Sequence, residues 1–146
     1  MTHEYTSIVH WSDKEDEHGS ITMDCGYSCG FHKPVEFGGA EGMLNPEDAF
    51  IGSLAMCYSI TLESTLEKMR LELANFELET KGILEDTEDG SKMTKIDLIP
   101  KFELKNDEDK NKVERALNLA KKNCLISKSM SSDIRLKPKF KSRSSE

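Results

Sequence analysis

One stretch of the chain is apolar on almost every side of the helix that it predicts. It starts at a run in which asparagine can cap a helix, proline suits the first helical position and two carboxylates favour the positive end of the dipole: Asn45, Pro46, Glu47 and Asp48. From residue 49 to residue 62 only small or hydroxyl-bearing side chains interrupt the apolar ones. A helix of this kind is buried on most of its sides.

The length of the chain limits how that helix can be covered. A chain of 146 residues suits one domain with a moderate core. We expect a single domain over residues 1–138 and a polar C-terminal tail over residues 139–146. One sheet and one further helix can hardly cover an apolar helix completely, so we expect a second copy of the chain to finish its burial.

The remaining pattern mixes strands with a second helix. Period-two alternation and turn residues predict strands at 5–11, 20–25, 28–37, 76–81, 95–104 and 134–136, with a charged turn at 13–19 and a hairpin turn at 88–90. Residues 107–123 predict an amphipathic helix, because apolar side chains recur at helical spacing: Val113, Leu117, Ala120 and Cys124. Pro100 indicates a free strand edge. The order predicts an α+β fold with antiparallel sheets.

Charge and composition exclude several classes of partner. The formal net charge is -7, and an acidic chain repels phosphate backbones and anionic lipid heads, so we expect neither nucleic acid nor a membrane as partner. No uninterrupted apolar run reaches the ~18 residues of a membrane span. The first residues lack the basic and apolar segments of a signal peptide, so we expect a cytoplasmic protein with reduced cysteines.

Two cysteines lie in patterned helical contexts. Cys57 falls inside the apolar helix, and Cys124 ends the amphipathic one. Packing of the two helices could bring the sulfurs together, which is what a thiol peroxidase needs: one cysteine attacks the peroxide and the other resolves the sulfenic acid as a disulfide. Alternatively, each cysteine is an ordinary small hydrophobic residue of the core.

These motifs together resemble the OsmC/Ohr family, named for an osmotically inducible protein and an organic hydroperoxide resistance protein. The resemblance runs from about residue 37 to residue 136 and rests on the helix start at 45–48, on Ala55-Met56-Cys57 and on Cys124 followed by Ser127-Lys128. The loop at residues 37–39, Phe-Gly-Gly, resembles a branch of the family that is less clearly peroxidatic.

The resemblance implies an intertwined homodimer in which antiparallel sheets wrap around two central helices, without a cofactor. It implies that Cys57 is the nucleophile, Cys124 the resolving cysteine and Glu47 the carboxylate that orients and ionises the thiol. A helix dipole alone would also explain Glu47. The family's upstream arginine is missing, since no arginine precedes residue 70. His32 and Lys33 are candidates to replace its charge.

Two functions therefore remain open. The first is a thiol-dependent peroxidase that reduces organic hydroperoxides in oxidative-stress defence and is recycled by a small dithiol or a disulfide-reducing protein. The second is a non-catalytic dimer that binds a small hydrophobic or thiol-reactive ligand at the subunit interface. A metal site at Cys25, Cys29 and His32 is disfavoured, because a fourth ligand is missing and two cysteines four apart on a strand are about 13 Å apart.

Overall fold

The computed structural model describes residues 1–11 and 18–142. The charged turn predicted at 13–19 lies mostly outside the described residues. The chain forms two compact units, Met1–Phe50 and Ile51–Glu146. Each unit is built around its own sheet, and each is described by itself below.

The N-terminal unit contains a three-stranded antiparallel sheet. Its strands are β1 (Ser7–His10), β2 (Gly19–Met23) and β3 (Ser28–Phe31), in the order β1-β2-β3. The turn between β2 and β3 contains Gly26 at φ +95°, a conformation that glycine adopts without strain. The three strands confirm the sequence prediction, although β3 ends at residue 31 rather than 37.

The chain leaves β3 through a tight turn that ends this strand early. Residues Val35–Phe37 form one turn of 3-10 helix, which Gly38 closes at φ +90°. The amide of Gly39 donates to the Pro34 carbonyl at 2.9 Å, and a Cβ at Gly39 would collide with the Lys33 carbonyl oxygen. The two glycines of the Phe-Gly-Gly sequence are therefore required by this turn, since a side chain would be strained at Gly38 and would collide with the backbone at Gly39.

Helix α1 (Pro46–Met69) starts where its capping residue predicted. The Asp48 amide donates to Asn45 Oδ1 at 2.7 Å, the N-cap hydrogen bond. The helix ends at Arg70, which adopts a left-handed conformation with φ 56°. Its buried residues are confined to one side: Leu54, Tyr58 and Leu62.

The opposite side of α1 is left uncovered by the part of the chain that the structure describes. Met56 is 64% exposed and Ile60 is 68% exposed. By length and composition alone, Pro46–Lys68 is also the one helix of the described residues apolar enough to span a membrane. The helix contains no uninterrupted apolar run of that length, because Gly52, Ser53 and Ser59 break the run. Core helices of globular proteins meet the same criterion.

A long hairpin organises the C-terminal unit. Strands β4 (Leu73–Thr87) and β5 (Gly90–Leu104) pair antiparallel, as predicted. Two short strands, β6 (Asp133–Leu136) and β7 (Lys139–Ser142), follow each other along the far side of β5 and run parallel to it. The predicted antiparallel pairing holds for the hairpin, whereas β6 and β7 run parallel to β5, because the chain returns from its last helix in the direction of β5 and the sheet is mixed.

Pro100 lies at the break between those two strands. Strand β6 ends opposite Leu98 and β7 begins opposite Lys101, so no strand partner faces the proline on that side. The missing N–H of proline fits such a gap. The free edge predicted for Pro100 is thus a local gap within the sheet.

The segment predicted as a polar tail, residues 139–146, contains strand β7 as far as residue 142. Strand β7 alternates charged and apolar side chains, and Phe140 stacks on Phe102 with ring centroids 5.1 Å apart. Lys141 lies on the other face, 3.5 Å from Glu103. Residues 143–146 lie outside the described part of the chain.

Two further helices complete the C-terminal unit. Helix α2 (Lys110–Asn123) buries the predicted stripe, and a short helix, α3 (Leu125–Ser129), follows at once. The core lies between the helices and the inner face of the sheet, and its most buried members include Leu54, Tyr58, Ile96, Leu98, Ala116, Leu117 and Cys124. The α+β prediction is confirmed, and α3 was not predicted.

Candidate functional site

Cys57 lies at the border between the buried and the exposed sides of α1. Successive residues of a helix are about 100° apart, so Cys57 is one step from buried Tyr58 and one step from exposed Met56. Its own side chain is half-buried. The thiol therefore contacts the core while remaining within reach of small molecules at the uncovered side of the helix.

Tyr58 fixes the orientation of the helix next to the cysteine. Its side chain is fully buried, and its hydroxyl donates to the Leu117 carbonyl of α2 at 3.0 Å. Burial, and secondarily the negative charge that Cys124 carries when it is ionised, raises the pKa of the Tyr58 phenol, so it stays protonated and remains a donor. This bond holds α1 and α2 in register and turns Cys57 towards the end of α2.

Cys124 occupies the corner between α2 and α3. Its backbone is extended, with φ -67° and ψ 115°, which breaks one helix and starts the next. Its side chain is fully buried. The first amides of a helix have no partners within it. The backbone of Leu125 and Ile126 hydrogen-bonds the Cys57 sulfur, and that of Ile126 and Ser127 hydrogen-bonds Cys124.

The two thiols also hydrogen-bond each other, which confirms their predicted proximity. For Cys57, burial is the largest single influence and raises the pKa. The Ile126 backbone, the Cys124 thiol, the Thr61 hydroxyl and the Leu125 backbone act against it, and together they hold the Cys57 pKa below its ordinary value. Uncharged donors therefore favour the thiolate at Cys57.

Cys124 has the opposite tendency. Burial raises the pKa of its thiol most strongly, and the hydrogen bond to Cys57 and the charge of that neighbour raise it further, against lowering by the Ser127 and Ile126 backbone. Because the groups are coupled, the first proton lost belongs to the pair and leaves mainly from Cys57. Once that first proton is lost, the pair holds a thiolate at Cys57 beside a protonated Cys124.

The other predicted site residues lie in the N-terminal unit. Glu47 is half-buried in the first turn of α1, and the ten residues that separate it from Cys57 correspond to about 15 Å of helix. Lys33 is exposed, and its side chain lies near Gly38. His32 Nδ1 accepts a hydrogen bond from the Ala40 amide at 3.0 Å, a bond that requires an unprotonated Nδ1. Their roles at Cys57 stay predictions.

The second pair of cysteines is arranged differently. Cys25 is exposed in the turn before β3, and Cys29 is half-buried on β3 opposite Ile21. Within residues 1–11 and 18–142, no group of three histidine, cysteine, aspartate or glutamate side chains is arranged to hold a metal ion.

Comparison with known proteins bears on this arrangement. The model of the OsmC-like protein family matches residues 38–139, which include both Cys57 and Cys124. A curated relative, the uncharacterized protein YmaD of Bacillus subtilis, is 32% identical over 106 residues, or 70% of this chain and 71% of the relative.

Solved structures share the fold. An OsmC-like protein of unknown function from Vibrio cholerae has a TM-score of 0.84 at 22% identity, covering 94% of this chain and 99% of its own. An organic hydroperoxide resistance protein OsmC from Legionella pneumophila has a TM-score of 0.71 at 21% identity, with 96% and 99% covered. The hydroperoxide resistance protein OhrB of Bacillus subtilis has a TM-score of 0.64 at 24% identity, with 92% and 97% covered. The chain belongs to the OsmC-like protein family.

Proposed function

We propose that this protein is a thiol-dependent peroxidase that reduces organic hydroperoxides and contributes to resistance against oxidative stress. The observation that carries the proposal is the hydrogen-bonded pair of Cys57 and Cys124, whose pKa values are shifted in opposite directions. A nucleophilic thiolate beside a protonated thiol is the starting state of a two-cysteine peroxidase. The family membership and the hydroperoxide resistance proteins of the same fold support it.

The proposed reaction has three steps. The Cys57 thiolate attacks the distal oxygen of the hydroperoxide, the O–O bond breaks, and the alkoxide leaves as an alcohol after taking a proton, with Cys57 as sulfenic acid. The Cys124 sulfur then attacks the Cys57 sulfur, so that water leaves and a disulfide forms. A dithiol reductant, either a small molecule or a disulfide-reducing protein, finally exchanges with this disulfide.

The absence of an upstream arginine is compatible with this chemistry. Thiolates are usually favoured by a cation, a metal or helix N-terminal amides. At Cys57 the Leu125 and Ile126 backbone, the Cys124 thiol and the Thr61 hydroxyl lower the pKa against the effect of burial. In this proposal, Lys33, His32 and Glu47 are not required to ionise the thiol.

A simple reaction tests the proposal. Reduced protein is mixed with cumene hydroperoxide, and free thiols are counted over time beside the peroxide that remains. We expect two thiols to be lost per peroxide consumed, with Cys57 and Cys124 in the product disulfide. Slow, equal loss at all four cysteines would instead indicate unassisted oxidation and would refute the enzyme.

The proposal includes a homodimer in the cytoplasm. An apolar groove of about 410 Å³ lies along the uncovered side of α1, lined by Ala55, Met56, Ser59, Ile60 and Leu78. A second copy of the chain would bury this surface, and obligate interfaces of this kind bury more than ~2,000 Å². We expect a dimer in analytical ultracentrifugation at micromolar concentration, without detergent. A folded monomer, or aggregates that detergent disperses, would contradict it.

The same groove supports a second candidate function. Because its lining is mostly apolar, a dimer could hold a small hydrophobic ligand there without chemistry at Cys57. The two candidates differ in one result: a ligand-binding protein would show no stoichiometric loss of Cys57 and Cys124 with cumene hydroperoxide.

A further inference from the structure

A threonine one turn beyond Cys57 contacts the cysteine in two ways. The Thr61 hydroxyl donates to the Cys57 carbonyl at 2.8 Å. The same hydroxyl is within hydrogen-bonding reach of the Cys57 sulfur, where it favours the ionised form. A hydroxyl carries one proton and can rotate to suit its partner. It can therefore serve the carbonyl when Cys57 is a thiol and the sulfur when it is a thiolate.

Hydrogen bonds from threonine to the carbonyl four residues earlier are common in helices and need no functional explanation. The chain contains its own control for that ordinary role. Thr65, one turn further along α1, donates to the Thr61 carbonyl at 2.7 Å and is half-buried in the same way. The residue four positions before Thr65 is a threonine, so this second bond has no thiol beside it. Of these two threonines, Thr61 combines the backbone bond with a nucleophilic sulfur and Thr65 does not.

We propose that Thr61 is an activating residue whose hydroxyl turns from the Cys57 carbonyl to the Cys57 sulfur as the thiolate forms. The inference rests on the proposed function for its biological purpose, although the hydroxyl and the sulfur are in contact whatever the substrate. The uncharged hydroxyl would stabilise the thiolate by a hydrogen bond, in place of part of the stabilisation that an arginine would supply. Its geometry is preset by α1, because residues four apart lie on the same face of a helix.

The test compares Thr61→Val with Thr61→Ser and Thr65→Val. All variants carry Cys25→Ser and Cys29→Ser, so that only Cys57 and the buried Cys124 can react. The rate of iodoacetamide labelling at Cys57 is followed by peptide mass spectrometry from pH 5 to pH 10. We expect Thr61→Val to slow labelling near neutral pH by about three- to tenfold, the effect of losing one hydrogen bond of ordinary strength.

Several results separate the possible explanations. At high pH, where the thiol is fully ionised, the Thr61→Val rate should return to that of the parent, since the change affects ionisation and not access. Thr61→Ser should restore the parent profile, and Thr65→Val should leave it unchanged. An unchanged profile in Thr61→Val, or an equal change in Thr65→Val, would overturn the proposal.

The labelling readout is independent of peroxidase activity. If Thr61→Val shifts the profile while the parent consumes no peroxide, the activating role stands and the proposed function fails. If the parent consumes peroxide and the profile does not shift, the proposed function stands and the role of Thr61 fails. Circular dichroism of each variant confirms that the helices are intact.

Discussion

The two pairs of cysteines differ in a way that their spacing in the sequence does not reveal. Cys25 and Cys29 are four positions apart, and Cys57 and Cys124 are sixty-seven apart. Yet the distant pair shares a hydrogen bond, whereas the close pair is divided between an exposed turn and a strand. Proximity of reactive groups is set by helix packing here and not by separation along the chain.

The physical reason lies in what holds each pair. Cys57 and Cys124 are kept in place by a core in which Tyr58 ties α1 to α2 through the Leu117 carbonyl. The helix that begins after Cys124 also directs its first amides at both sulfurs. Cys25 lies in the turn that joins β2 to β3. The surroundings of Cys57 and Cys124 therefore shift the pKa values of these two thiols, and we expect this pair to carry the chemistry.

Replacing the nucleophile should produce the largest difference between the pairs. Cys57→Ser is expected to abolish consumption of cumene hydroperoxide, because a serine hydroxyl is not ionised near neutral pH. The change in side-chain volume is small, so the fold should persist by circular dichroism. The measurement is peroxide remaining after incubation with a dithiol such as dithiothreitol.

The matched control is the double variant Cys25→Ser, Cys29→Ser. It should consume peroxide at the parent rate within about twofold, since neither sulfur contacts the reacting pair in the proposed mechanism. Loss of activity in the double variant, with Cys57→Ser still active, would reverse the comparison and assign the chemistry to the N-terminal sheet.

Mild oxidation should distinguish the pairs by their products. A disulfide needs Cα atoms about 4.4–6.8 Å apart, and the hydrogen-bonded thiols of Cys57 and Cys124 are already in contact. Peptide mapping after one equivalent of peroxide is expected to give the Cys57–Cys124 link. In Cys124→Ser, a dimedone adduct should appear on Cys57, because its sulfenic acid has no resolving partner. A dominant Cys25–Cys29 link would contradict this.

Much of the fold could be predicted because local signals agreed with global packing. The cap of α1, the long hairpin and the stripe on α2 each carry strong periodicity or turn chemistry, and all three were found. The parallel strands were not predicted as such, because strand direction depends on where α2 and α3 leave the chain. Strand β7 was missed because its four residues carry two lysines and a polar tail follows.

The site was predicted only in part. The cysteine pair follows from two helical patterns and the family resemblance, and the structure confirms its proximity. The activating groups were missed, since backbone amides have no signature in the sequence and α3 is only five residues long. A helix break at Cys124, recognised in the sequence, would have indicated that the first amides of a new helix lie beside the sulfurs. Thr61 was not predicted either, because it is an uncharged donor and the missing arginine suggests a charged replacement.

The finest expected difference is in the pH at which each cysteine reacts. Thiolates are the reactive form, so labelling by iodoacetamide rises as pH passes upward through the pKa. Cys57, with a lowered pKa, should label at lower pH than an ordinary thiol, and Cys124, with a raised pKa, only at higher pH. Peptide mass spectrometry from pH 5 to pH 10 should therefore show Cys57 reacting at lower pH than Cys124. In Cys57→Ser, Cys124 loses a charged neighbour and its labelling should move to lower pH. If labelling of Cys57 and Cys124 instead rose over the same pH range, the two thiols would not differ in pKa, and the assignment of Cys57 as nucleophile and Cys124 as resolving cysteine would lose its support.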